Sequence, residues 1–253
     1  MDCCPITRVA LLDGFAVQLP GSTLTPGTAL PRAAQRVIAH VSLCGSPTRA
    51  VIAGQLWPDV AEDHAHGSLR SALWRVRKVA PGLFRVSGDT VSLAPDVRVD
   101  VRDLTRWARR ALDPFCGLDE ITGAEVDLRA DLLPGWYDDW VLLEREGLRQ
   151  LQLHALEALA VKLVAAARYG EAVQAAYAAV RVEPLRESAQ RTVVRVHLAE
   201  GNICEAIRAY ESFRTMLADE IGAVPSREMR QLVYTIPRSP MTGAGGLGRA
   251  TGA

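Results

Sequence analysis

The chain has 253 residues, of which 49% are hydrophobic and 23% charged, and its 29 Lys+Arg balance its 29 Asp+Glu. That is enough for two domains of ordinary size, and no apolar run approaches the roughly 20 residues that a helix needs to cross a bilayer. The neutral total hides a division: residues 1–110 hold 14 Lys+Arg and 9 Asp+Glu, an excess of +5, while residues 111–253 hold 15 and 20, a deficit of −5. A moderately basic first half suits a nucleic-acid partner.

The start, MDCCPITRVALLDG, has an acidic second residue and no charged segment ahead of a long apolar stretch. No signal peptide is therefore expected, and the location expected is cytoplasmic. Thr7 to Leu19 alternates apolar residues around Asp13-Gly14, which predicts a small antiparallel sheet. A helix follows from Pro31 to about Cys44, with Ala34, Val37, Ile38 and Val41 at helical spacing and Gly45 after its end. A second short helix spans Thr48 to Leu56 and leads into the loop Trp57-Pro58-Asp59.

His64 to Ala80, HAHGSLRSALWRVRKVA, is the most informative segment. At about 100° per residue it sets Leu69, Ala72, Leu73, Val76 and Val79 on one side and Gly67, Arg70, Ser71, Trp74, Arg75 and Lys78 on the other. By itself this pattern also fits a surface helix with a solvated cationic face. Its context favours another reading, because Phe84 to Leu93 alternates Phe84, Val86, Val91 and Leu93 around Gly88-Asp89, a hairpin signature. Helix, turn, basic helix and hairpin in that order describe a winged helix-turn-helix whose basic helix enters the major groove. Base-edge candidates are Arg70, Ser71, Trp74 and Arg75, placed towards the N-terminal part of the helix. Arg77, Lys78 and Arg85 are placed for phosphates. Leu73 and Val76 are expected in the core against the first helix, near Val37 and Val41.

Beyond Ala111, a loop-like stretch from Asp113 to Glu125 precedes an aromatic cluster of Leu132, Leu133, Trp136, Tyr137 and Trp140. These residues either dock the second half onto the winged helix or form that half's own core, with Glu144 and Arg145 at the contact's edge. Asp138-Asp139 read as an acidic pair complementing a helix N-terminus. A long helical pattern runs from Trp140 to Arg168. Glu171-Ala172 then recurs as Glu205-Ala206, with Ala175 matching Ala209 and Ala179 matching Phe213, an offset of 34 residues. That is the tetratricopeptide period of paired antiparallel helices; an ordinary helical bundle with an accidental period is the alternative.

Motifs for catalysis or metal binding are missing: there is no Gly-x-x-x-x-Gly-Lys loop, no Gly-x-Ser-x-Gly elbow and no His-Glu-x-x-His. His64 and His66, two residues apart at a helix start, point in different directions and read as surface histidines. Cys3, Cys4, Cys44, Cys116 and Cys204 form no Cys-x-x-Cys pair, and neither disulfides nor structural zinc are expected. No catalytic residue, cofactor or metal is expected.

The chain resembles the antibiotic regulatory protein (SARP) family of bacterial transcriptional activators over roughly residues 6–235. The resemblance rests on LPRAAQRVIAHVSL, GQLWPD, SLRSALWRVRK, VDVRDL and above all LLPGWYDDWVLLEREGLRQLQLHALEAL. It implies a mainly α fold with small β-sheets, a winged helix-turn-helix at 1–111, a tetratricopeptide-like bacterial transcriptional activation domain at 112–236 and a disordered tail at 237–253. It also implies an activator that binds direct repeats in double-stranded DNA as a homodimer, recruits RNA polymerase and commonly serves secondary-metabolite genes, with no membrane contact. Relatives with an ATPase module are longer; the form expected here is the short one, with no receiver domain ahead of it. Asp89-Thr90 stands where the wing usually carries Gly-Tyr, and Trp74 is bulkier than the small polar residue expected on the groove side. The competing reading is a helical-repeat adaptor whose winged helix no longer binds specific DNA.

Overall fold

The computed structural model describes residues 6–20, 25–26, 30–123, 128 and 130–234; Cys3, Cys4 and the tail 237–253 lie outside these. At Asp13 and Gly14 the chain reverses with φ of 56° and 143°. The second of these is open to glycine at little cost, which fixes the turn between β1 (Arg8–Ala10) and β2 (Ala16–Gln18). Val9 thereby faces Val17 across the antiparallel pair, and both are buried. β3 (Thr25–Pro26) extends the sheet beyond β2. Three helices follow: α1 (Arg32–Cys44), α2 (Arg49–Leu56) and α3 (Glu62–Val79). The Thr48 hydroxyl accepts from the Val51 N–H at the start of α2, as an N-cap should.

β4 (Phe84–Ser87) and β5 (Thr90–Leu93) then form the expected hairpin, with Ser87 opposite Thr90. Only Gly88 of the two loop residues has positive φ, at 58°, the pattern of a II′ turn. β6 (Arg98–Val99) returns to run parallel to β1, giving the order β3-β2-β1-β6. The arrangement is a winged helix-turn-helix.

Within α3 the buried stripe is Ala65, Leu69, Ala72 and Val76. The expected face is confirmed at its centre and narrowed at both edges: Leu73, beside the hairpin, is half-buried, and Val79, about 120° round the helix from it, is 40% exposed. The helix also begins two residues earlier than the sequence suggested, at Glu62, behind an Ala61 that offers no side-chain cap.

The helices that follow β6 among the described residues are α4 (Asp100–Leu112), α5 (Leu118–Thr122), α6 (Asp139–Ala165), α7 (Tyr169–Val182), α8 (Glu187–Glu200), α9 (Ile203–Ile221) and α10 (Arg227–Tyr234). The short α5 occupies part of the stretch read as a loop. α7 and α9 start 34 residues apart, at 169 and 203. Ala172 and Ala206 are both buried in this register, as are Ala179 and Phe213. The register extends to the preceding helices, where buried Leu156, Leu159, Ala160 and Leu163 of α6 correspond to buried Gln190, Val193, Val194 and His197 of α8.

The two halves share one hydrophobic core, which runs from Val9 and Leu11 through α4 and α6 to α8. Residues 131–133 align with the end of β1: Leu12 and Leu132 form an antiparallel bridge. The Leu133 N–H donates to the Leu11 carbonyl and the Asp13 N–H to the Asp131 carbonyl, each at 2.8 Å. The buried Trp136 ring stacks on Phe15 at 5.8 Å, and the Arg32 guanidinium sits 3.5 Å from its centroid. Asp138 stands at the N-cap of α6 and Asp139 in its first turn, as the acidic helix-start pair predicts, and Asp138 also pairs with Arg36 of α1 at 2.6 Å and with Arg32 at 3.5 Å. Half-buried Trp140 meets His40 edge-on at 5.3 Å, and burial holds the His40 pKa below its ordinary value. Tyr137, by contrast, is 80% exposed and takes no part. Arg145 seals the contact from α6, donating to the carbonyls of Leu132, Leu133 and Trp136.

Leu69→Ala, a fully buried truncation, should cost about 2–5 kcal/mol in urea melts, and Leu73→Ala should cost less. With the junction intact the chain should unfold in one calorimetric transition. Trp136→Ala should remove about 3–5 kcal/mol and split that transition in two.

Candidate nucleic-acid interface

The cationic side of α3 is set by its own burial. With Ala65, Leu69, Ala72 and Val76 turned inward, the 100° step places Arg77, Arg70, Trp74, Lys78, Ser71 and Arg75, in that angular order, over an outer arc of about 160°. All six are exposed, as is Arg85 on β4, and Trp74 is 62% exposed, a large area to leave in water. Lys78 Nζ lies 5.5 Å from the Trp74 ring centroid, so the indole is covered by a cation on one side. Ser71 Oγ donates back to the Gly67 carbonyl at 3.1 Å, which spends its hydroxyl proton but leaves its lone pairs free to accept.

These residues divide between two sides of the helix. Arg70, Trp74 and Arg77 line a groove of about 530 Å³ together with Arg49, Phe84 and Val86, which joins α3 to the hairpin. Ser71, Arg75 and Lys78 lie on the other side of the arc, outside that groove. Arg85 stands apart on the hairpin, where its carbonyl accepts from Ser92 Oγ at 3.4 Å.

The hairpin is fixed from behind. The Arg49 N–H donates to the Asp89 carbonyl at 2.9 Å and the Val91 N–H to the Pro47 carbonyl at 3.0 Å, while Thr48 bridges Thr90. The wing is therefore short and tied to the start of α2. Arg49 itself was missed in the sequence. Its signal was a cation in the first turn of a helix, where the dipole disfavours positive charge.

Because α3 starts at Glu62, Arg70 is in its middle, and the expected N-terminal placement of Arg70 to Arg75 is corrected accordingly. The first turn holds Glu62 and Asp63, which suit the dipole but repel phosphates. Any approach to a duplex is thus through the central turns. The two histidines behave as surface residues: His64 is exposed and His66 is 3.7 Å from Glu62. Among the described residues no group of three or more His, Cys, Asp or Glu could hold a metal ion, and no helix is long and apolar enough to cross a membrane.

A winged helix presenting a cationic face and docked on a helical repeat stack is the architecture of a transcriptional regulator. The profile of the bacterial transcriptional activator domain matches residues 103–236, just over half of the chain, and the chain belongs to this family of SARP-type activators. In fold it is similar to Mycobacterium tuberculosis EmbR, solved in complex with a low-affinity phosphopeptide. The TM-score is 0.68 and the identity 20%, over 91% of this chain and 64% of EmbR. The chain thus spans less than two thirds of EmbR's length. None of the curated proteins matches it.

Arg75→Ala should cost about 1–3 kcal/mol on a specific site and relax preference at one base pair, whereas Arg77→Ala should weaken specific and random duplexes alike and lower the salt slope by about one. Fluorescence anisotropy on both duplexes distinguishes the two outcomes.

Proposed function

We propose that this activator binds double-stranded DNA sequence-specifically through the outer arc of α3 laid in the major groove. Arg70, Ser71, Trp74 and Arg75 read base edges, and Arg77, Lys78 and Arg85 hold phosphates. Two copies bind direct repeats near a promoter as a homodimer on DNA, and each turns its helical domain towards RNA polymerase. Secondary-metabolite genes are the expected targets and the cytoplasm the expected location. In this division of labour residues 1–111 bind DNA and 112–236 contact the polymerase.

One observation carries this reading: five cations and an exposed tryptophan stand on the outer side of a helix and its neighbouring hairpin, on a frame whose inner side is fully packed. A solvated face does not require an indole 62% exposed, whereas an interface with base edges and thymine methyls uses one. The fixed junction adds to the reading, since it leaves the helical domain at one orientation relative to α3.

Gel shifts across a salt series, using duplexes from the chain's own upstream region, test the proposal. A discrete shifted site should appear, and its affinity should fall steeply and linearly on a log-log salt plot as phosphate contacts release counterions. A helical-repeat adaptor with an inactive winged helix would give neither a discrete site nor a salt slope.

A further inference from the structure

Between α4 and α6, closed at one end by the C-terminal turn of α1, lies a cleft of about 690 Å³. That volume falls within the range of small-molecule sites, which favour the places where structural units meet. One wall is strongly cationic. Arg102, Arg106, Arg109 and Arg110 recur at i, i+4, i+7 and i+8 along α4 and all line the cleft. Like charges at such spacings disfavour a helix, so their company needs a reason.

Two of the four are accounted for within the chain. Arg102 donates to the Ser42 and Val41 carbonyls at 2.9 and 3.3 Å, closing the end of α1. Arg106 pairs with Asp103 at 2.7 Å. The guanidinium groups of Arg109 and Arg110 make no hydrogen bond or ion pair among the described residues, and Arg110 Nε is buried without a partner. The C-terminal dipole of α4 favours cations in its last turn but does not satisfy a buried N–H donor, which ordinarily finds an acceptor. The acids on the cleft lining, Glu144 and Asp113, pair with neither arginine.

The opposite wall, on α6, carries Leu148 and Leu151 as an apolar stretch with Glu144 at its N-terminal side. Gly147 lies between Glu144 and these leucines, and a Cβ built on it meets nothing within 4 Å. We propose that this cleft binds a small amphipathic anion, its carboxylate or phosphate head held by Arg109 and Arg110 and its apolar body laid on Leu148 and Leu151. Such a ligand touches α4 and α6 at once, and its binding raises the melting temperature of the chain.

The probe is 1-anilinonaphthalene-8-sulfonate, an anionic head on an aromatic body, titrated into the full chain. Saturable one-to-one fluorescence enhancement is expected, displaced by decanoate but not by decanol. The double variant R109Q/R110Q should weaken binding at least tenfold. Gly147→Leu, which places a side chain in open space at the cleft on an exposed helical position, should do the same with a circular dichroism melt no lower than that of the natural chain, since leucine is the better helix former, and it keeps the test valid should the arginine variant fold poorly. Absence of saturable binding, equal displacement by decanol, or unaltered binding by Gly147→Leu overturns the proposal. Displacement of the probe by a random-sequence duplex would assign the arginines to DNA phosphates and overturn it equally.

Discussion

The contact of Trp136 and Asp138 with α1 is the constraint on which the rest of the structure depends. Arg32 lies against the Trp136 ring, and Arg32 and Arg36 both reach the Asp138 carboxylate. One short segment therefore binds the same helix through an aromatic face and through charge. Cation–π contacts of this kind strengthen where water is excluded, and Trp136 is 5% exposed. Residues 131–133 meanwhile continue the pairing of the N-terminal sheet, so backbone hydrogen bonds as well as side chains cross the boundary. α1 is also the helix on which α3 rests, and the junction therefore fixes the cationic face relative to the helical stack.

Asp100 supports the same frame from below. As the first residue of α4 it accepts from the backbone N–H groups of Leu11, Leu12 and Val101, joining the end of β1 to the start of α4. Burial pushes its carboxyl pKa up while these donors pull it down. Further along, Lys162 of α6 donates to the carbonyls of Asp113 and Cys116 at 2.5 and 3.0 Å, and so holds the turn that leaves α4. These interactions act at opposite ends of α4 and tie it to the N-terminal sheet at one end and to α6 at the other.

Local pattern was legible in the sequence and distant partnership was not. The hairpin about Gly88, the turn at Asp13-Gly14 and the buried stripe of α3 follow from period and glycine placement alone. Leu73 was misplaced because angular position on a helix says which side is apolar but not which neighbour covers it, and the hairpin covers less of Leu73 than α1 and α2 cover of Leu69. Asp138 beside a helix start has a sufficient local explanation in the dipole, and its arginine partners stand about a hundred residues earlier. The repeat was visible in α7 and α9, where small residues recur. It was invisible in α6 and α8, where Leu156 answers to Gln190 and Leu163 to His197: burial repeats there although residue type does not. The arginines of α4 were in plain view, but the cleft they line exists only once α6 packs opposite.

The helical stack has two ends that need sealing. Solenoids of this period generally need three or more units, and terminal elements with one polar face, to be stable. The described residues supply two helical pairs, α6 with α7 and α8 with α9. At the far end α10 lies over α8 and α9, burying Met229 and Val233 and binding through Ser226 to Glu187 and through Glu228 to Arg191. At the near end no helix of the stack plays that part; α4 and the winged helix do. The winged helix, with α4, is thus the terminal cap that the repeat array otherwise lacks. A severed activation domain would expose the α6 surface that α4 now covers.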